Sequence, residues 1–243
     1  MKKIILLAGL IATLGAGTVY AVPVDIQNWT ATNLNNTGWG DSYSANWTNN
    51  GTTATQTKNA RASVLLSDAT WSNTLFEGSF GTNTGYDDDW FGIVFGYTSA
   101  TDYYLFDWKQ TAQGAGAFEG FAVSHITGSD VDLWNHSGDI TTMASDFGQS
   151  KGWADRTMYD FTLQYTDSNI QLAVTDGVNT LTSFDIDGAF SAGKVGFYSY
   201  SQQQTTFGAL QAEAAPVPEP ATVLLFGTGL AGLAVGARRR NKK

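Results

Sequence analysis

Cysteine is absent from all 243 residues, so no disulfide braces the fold and the chain relies on its core, aided by any metal it holds. Histidine is limited to His125 and His136. Neither stands beside a carboxylate at ligand or triad spacing, which leaves a Ser-His-Asp site or a zinc site without support. Glutamate occurs only at Glu77, Glu119, Glu213 and Glu219, few candidates for the acid/base carboxyl pair of a glycosidase. Cations are scarcest of all away from the ends. Between Val22 and Val217 six Lys and Arg face 21 acids, a balance of −15, and nucleic acid is disfavoured because phosphate neutralisation needs clustered positive charge. Eighteen of the 22 acids are Asp, the short hard ligand of calcium loops; an acidic surface kept soluble by its charge accounts for the same excess.

What is present begins at the ends. Lys2 and Lys3 precede an apolar run that closes on Val19 and Ala21, the pattern of a secretory signal peptide over residues 1–21. At the other end Ala221 to Ala237 is apolar throughout and is followed by Arg238, Arg239, Arg240, Lys242 and Lys243. A helix of that length reaches about 25 Å, enough for a thin bilayer, and the cations place the tail on the cytoplasmic side. Pro218-Glu219-Pro220 ahead of this span, with the arginine cluster behind it, resembles the PEP-CTERM sorting signal of Gram-negative bacteria that make extracellular polysaccharide. The resemblance implies a membrane-held precursor over 214–243, cut near the motif by an exosortase-type enzyme, and delivery of the domain to the cell surface or matrix.

The 22–213 region is all-β in pattern. Gly 27 against Pro 4 suits many tight turns. Phe161, Leu163 and Tyr165 alternate with polar residues, as do Ile170, Leu172 and Val174, and period two means one buried and one wet face. Trp90 to Tyr97 and Tyr103 to Trp108 are rich in aromatic and β-branched residues, which favour a pleated surface. Further strands are expected at Ile26 to Thr32, Tyr43 to Thr48, Thr53 to Lys58, Phe118 to Ile126, Val131 to Trp134, Thr180 to Ile186, Lys194 to Ser201 and Thr206 to Gln211. Ala112 to Ala117 and Met143 to Gln149 read as loops. Short strands punctuated about every ten residues predict two packed antiparallel sheets, a sandwich or jelly roll.

A second resemblance rests on ordered motifs. Phe76-Glu77-Gly78-Ser79-Phe80, Asp87-Asp88-Asp89, Phe91 to Tyr97 and Trp108-Lys109-Gln110 are followed by Leu133-Trp134, Gly138-Asp139, Gly152-Trp153, Asp155, Tyr159, Val195-Gly196-Phe197 and Ser201-Gln202, with Gly51, Gln56 and Asn59 upstream. In this order they are similar to the thrombospondin C-terminal domain. That implies a concanavalin-like, L-type-lectin-like antiparallel β-sandwich, calcium binding and an association with adhesion. The Asp-rich repeats, cysteines and RGD of the animal proteins are missing, so integrin-type attachment is not carried over.

Three candidate chemistries follow. Asp87, Asp88 and Asp89 form the most charged turn of the chain, and three adjacent carboxylates repel unless solvated, paired or bound to a hard cation. Asp102, Asp107, Asp139 or Asp155 are expected to complete a calcium shell; a solvated turn is the alternative. Trp39, Trp47 and Trp153 lie outside the clearest strands and are candidates for a sugar-stacking platform, or for plugs at the sandwich ends. A glycan hydrolase of the same fold, using Glu119 with an Asp across a cleft, competes with a calcium-dependent module that binds extracellular polysaccharide or a surface protein. Asp185 and Asp187 have the period to share one strand face.

Overall fold

The computed structural model describes residues 21–36, 44–114 and 116–215. The signal-peptide segment 1–20, Trp39, the Pro218-Glu219-Pro220 motif and the apolar tail lie outside the described residues. Among the described residues there is no helix, and none long and apolar enough to cross a membrane.

Two antiparallel sheets form the domain. The first runs β13 (Thr180–Asp187), β12 (Asn169–Thr175), β11 (Met158–Tyr165), β6 (Thr74–Thr82), β15 (Thr205–Ala214), β4 (Thr53–Gln56) and β3 (Trp47–Asn49), with β1 (Val22–Pro23) paired to β15. The second runs β10 (Ser137–Phe147), β9 (Gly120–Asp132), β8 (Asp102–Lys109), β7 (Trp90–Ser99), β14 (Lys194–Tyr200), β5 (Ser63–Leu66) and β2 (Thr30–Asn33). The all-β sandwich expected from the pattern is therefore the observed architecture.

The two sheets differ in how they are covered. In the first, Phe161, Leu163, Tyr165, Ile170, Leu172 and Val174 point between the sheets, while their neighbours Thr162, Gln164, Gln171 and Ala173 are less buried or exposed, so alternation survives. Phe80 sits near the middle of the inter-sheet core. Its ring is stacked on Phe161 at 5.2 Å and meets Phe91 edge-on at 5.4 Å.

The second sheet is buried on both faces. Phe91, Ile93 and Phe95 enter the inter-sheet core, whereas Trp90 and Val94 on the same strand, with Tyr103, Leu105, Tyr198 and Tyr200, form a second core on the outer face. Covering it are Leu34 and the tip of the β9–β10 hairpin, where Val131, Leu133 and Trp134 fold back and Trp134 meets Trp90 at 4.6 Å. Strands covered on both sides carry continuous apolar runs, which is why β7 and β14 lack period two.

Two expectations are corrected. Phe118 to Ile126 and Val131 to Trp134 are not two strands: β9 runs unbroken through Gly128, where an added Cβ would lie 2.0 Å from Asp139 Oδ2. Met143 to Phe147 is not loop but part of β10, a polar edge strand with two register shifts against β9, and edge strands with bulges show little apolar periodicity. β5, Ser-Val-Leu-Leu, is buried at every residue.

Candidate functional site

The acidic turn lies where β6 hands over to β7. Asp89 is the residue before Trp90, and the turn is held by neighbouring loops at one end of the sandwich. Asp89 N donates to Gln202 Oε1 at 2.9 Å, and its carbonyl accepts the indole N–H of Trp153 at 3.1 Å. Asp88 Oδ1 accepts from Gln113 Nε2 at 2.7 Å, and Asp87 Oδ2 from Asn59 Nδ2. The nearest carboxylate oxygens of Asp87, Asp88 and Asp89, one from each, lie within 4.8 Å of one another.

Burial sets the electrostatics. Asp87 is half-buried, and desolvation, helped by the charge of Asp89, pushes its carboxyl up to about 7. Asp88 is raised too, first by burial and then by Asp89, with the ammonium of Lys109 opposing. One buried cation among the described residues relieves the cluster from inside. Lys109 is fully buried and spends its three N–H donors on Asp89 Oδ1 at 2.7 Å, Gln113 Oε1 at 2.9 Å and the Asp88 carbonyl at 3.2 Å. The same nitrogen stands 4.1 Å from the ring centroid of Trp90 and 5.2 Å from that of Trp134, a cation–π cage.

With this geometry in view, residues 42–215 match the thrombospondin C-terminal region family. The chain belongs to that family. Residues 216–240 match the PEP-CTERM protein-sorting motif. Among curated relatives of the thrombospondin C-terminal chain, cartilage oligomeric matrix protein of Rattus norvegicus is 28% identical over 189 residues, covering 68% of this chain and 25% of the relative. Thrombospondin-3b of Danio rerio is 29% identical over 188 residues, covering 68% and 20%. The chain thus matches only about a quarter or less of these relatives' length. Among solved structures, the carbohydrate-binding module CBM66 from Bacillus subtilis is similar at a TM-score of 0.50 and 14% identity, over 70% of this chain and 92% of that one, a likeness of fold.

The predicted site residues divide within this thrombospondin-type sandwich. Asp155 comes to the acidic turn: its Oδ1 accepts from Gln110 Nε2 at 2.9 Å, and Gly85 is close enough that a Cβ there would lie 2.5 Å from Asp155 Oδ2. Asp155 is nonetheless outside the set of oxygens that converge within 4.8 Å, which among the described residues is Asp87, Asp88 and Asp89 alone, and Asp102, Asp107 and Asp139 lie elsewhere. Asp102 opens β8, seven residues and about 23 Å of strand from Lys109, and bonds Thr98 and His125. Asp107 is buried and taken by His136 Nε2 at 2.9 and 3.2 Å. Asp139 Oδ2 turns to its own hairpin and accepts from Asp130 N.

Of the aromatic candidates, Trp153 is buried and Trp47 partly so. Trp153 is 2% exposed and packs on Phe91 at 5.4 Å, so it is a floor beneath the acidic turn and not a platform. Trp47 is half-buried against Phe207 and donates to Ser63 Oγ. Glu119 accepts from the backbone N–H groups of Lys151 and Gly152, an anchor for the loop that carries Trp153. Asp185 and Asp187 do share one side, both accepting from Asn169 Nδ2, at 2.7 and 3.1 Å, but both are exposed.

Trp153→Phe keeps most of the packing but leaves the buried Asp89 carbonyl without its donor. The expected cost is about 1–3 kcal/mol in denaturant unfolding. A change below about 0.5 kcal/mol would mean that the indole N–H does not hold the turn.

Proposed function

We propose that this chain is exported and works outside the cell as a calcium-stabilised binding module, its acidic rim loops gripping extracellular polysaccharide or a surface protein. The observation that carries the reading is the convergence of the Asp87, Asp88 and Asp89 oxygens within 4.8 Å. Oxygens that share an ion at about 2.3–2.6 Å lie no more than about 5 Å apart, so the donor set fits calcium in both hardness and spread. Asp87 and Asp88 are the principal ligands; Asp89, with one oxygen on Lys109, offers the other. When bound, calcium supplies the positive charge that relieves three crowded carboxylates. The chain's own contribution is preorganisation: Trp153, Gln202, Asn59 and Gln113 hold the turn in place, so less entropy is lost on meeting a partner. The sorting motif at 216–240 supports export, with the signal peptide removed after Ala21 and the tail processed by an exosortase. The carbohydrate-binding module of similar fold and the thrombospondin relatives favour binding over hydrolysis, as does the use of Glu119 as a loop anchor.

Melting the domain with millimolar calcium and with EDTA tests the metal, and a glycan array run under the same two conditions tests the partner. An unmoved melting temperature would sink the reading.

A pH signature accompanies it. Because the Asp87 carboxyl sits at about 7 in the folded state against 3.8 as its ordinary value, the folded chain holds a proton there that the unfolded chain releases. Stability in EDTA therefore falls as pH rises from about 4 to about 7 and then levels. His136 reinforces the trend: burial lowers it, but Asp107 beside Nε2 leaves it net raised, and that stabilisation is lost as pH passes its folded value. Melting between pH 5 and 8 should show the decline in EDTA and a much smaller one in calcium.

A further inference from the structure

Both ends of the described domain leave from one pole of the sandwich. β15 runs to Ala214, which pairs with Thr74 at the start of β6, and Ala215 is buried with its N–H donated to the Asn73 carbonyl at 2.8 Å. The fold therefore holds the chain as far as Ala215. β1 is antiparallel to β15, with Val22 opposite Ala212 and Pro23 opposite Gln211, so Ala21 leads off toward the same pole. The acidic turn lies at the other one. It follows the end of β6 at Thr82, and the length of that strand from Thr74 puts about 27 Å between the two poles. The tether is short. Five residues, Pro216 to Pro220, separate Ala215 from the apolar run that opens at Ala221, and fully extended they reach no more than about 18 Å.

We propose that the pole at Ala215 is the surface this chain turns to a lipid bilayer, and that the acidic turn is held outward from it. The inference rests on the reading of the apolar tail as a membrane anchor, and it adds which face of the domain is left for an extracellular partner. Two effects set the orientation. A tether shorter than the distance between the poles keeps the Ala215 end beside the headgroups. Charge then acts on the rest of the body. Acids stand at both poles, Asp68, Asp167 and Asp187 at one and Asp87, Asp88 and Asp155 at the other, and the balance from Val22 to Val217 is −15. An acidic body fixed by one pole to an anionic surface lowers its repulsion by standing away from it, over a range of about 30 Å at 0.01 M salt and about 3 Å at 1 M. A precursor that keeps residues 1–21 stands the same way, since both of its ends leave the fold at one pole.

A chain without cysteine can be tested with single labels. The full chain is placed in nanodiscs of phosphatidylcholine and phosphatidylglycerol whose headgroups carry a nitroxide quencher, in EDTA so that calcium plays no part. A small fluorophore is attached at Ser168→Cys or Thr70→Cys, at the Ala215 pole, and at Tyr86→Cys or Val178→Cys, at the other; all four side chains are exposed. Thr70 precedes Trp71, which bridges Gly193 ahead of β14, and Val178 follows β12, whose Thr175 lies opposite Asp160 near the start of β11. At low salt the two labels of the Ala215 pole should be quenched at least about fivefold more than the other two, given the separation along β6. The contrast should shrink at 1 M salt and after an insertion of about 20 Gly and Ser residues behind Ala215. Equal quenching at the two poles, or stronger quenching at Tyr86, would overturn the orientation and leave the anchor standing. A chain that does not co-elute with the discs, with no quenching at any of the four positions, would remove the anchor and the proposal with it.

Discussion

Replacing Lys109 with methionine lowers the stability of the domain by about 3–5 kcal/mol, because it leaves the carboxylate of Asp89 buried beside Asp87 and Asp88 without its cation. For a domain of this size that is a fall in melting temperature on the order of 10 °C. Methionine keeps most of the buried side-chain volume and removes the ammonium that stands over Trp90 and Trp134, so the loss reports charge more than volume. Three donors satisfied by Asp89, Gln113 and the Asp88 carbonyl make this a pair whose breaking is costly. Adding Asp89→Asn to Lys109→Met should recover part of the loss, since the stranded charge disappears, and the double-mutant cycle in urea should show a coupling above about 1 kcal/mol. A single-variant cost below about 1 kcal/mol would show that water reaches Asp89 and that the cage is looser than its distances imply.

The same pair shows how far the fold and the site could be read in advance. Strands with one wet face, such as β11 and β12, announce themselves through Phe161, Leu163 and Tyr165 and through Ile170, Leu172 and Val174. Strands with two covered faces or with none do not. Ser63–Leu66 has no alternation because both sides are buried, and Ser137–Phe147 has none because it is a polar edge. A second core beneath the β9–β10 hairpin was invisible because an apolar run does not state what covers it.

Site residues followed a similar rule. Three consecutive aspartates converge by covalent adjacency, so the turn was legible. Distant acids were not, since Asp102 and Asp107 are satisfied by histidines that no spacing linked to them. Gln113, which grips Asp88, is an uncharged loop amide with no signal of its own, and Asn59, which grips Asp87, stood in the upstream motif without anything to link it to the turn. Lys109 did carry one: a lone cation at the end of Tyr-Tyr-Leu-Phe-Asp-Trp must find a partner if the strand is buried. Trp153 misled because a loop that folds over the sandwich end buries its side chains as a strand does.

Asp87→Asn separates a metal ligand from a merely crowded carboxylate, since its two effects have opposite signs. In EDTA the variant should melt higher than the parent at pH 8, where the parent carries a carboxylate that burial and Asp89 disfavour. In calcium the order reverses. The parent gains about 2.7 kcal/mol at a hundredfold excess over its dissociation constant, while the variant, lacking a charged ligand, gains little at the same concentration. Asp88→Asn should lose most of the calcium increment as well, but its EDTA gain should be smaller, because Lys109 and Gln113 already favour the ionised form of Asp88. A calcium increment retained in both variants would place any ion elsewhere on the rim. An absent increment in the parent would leave Lys109 as the only cation that the turn requires, and the three carboxylates would then be held by protons and amides rather than by metal.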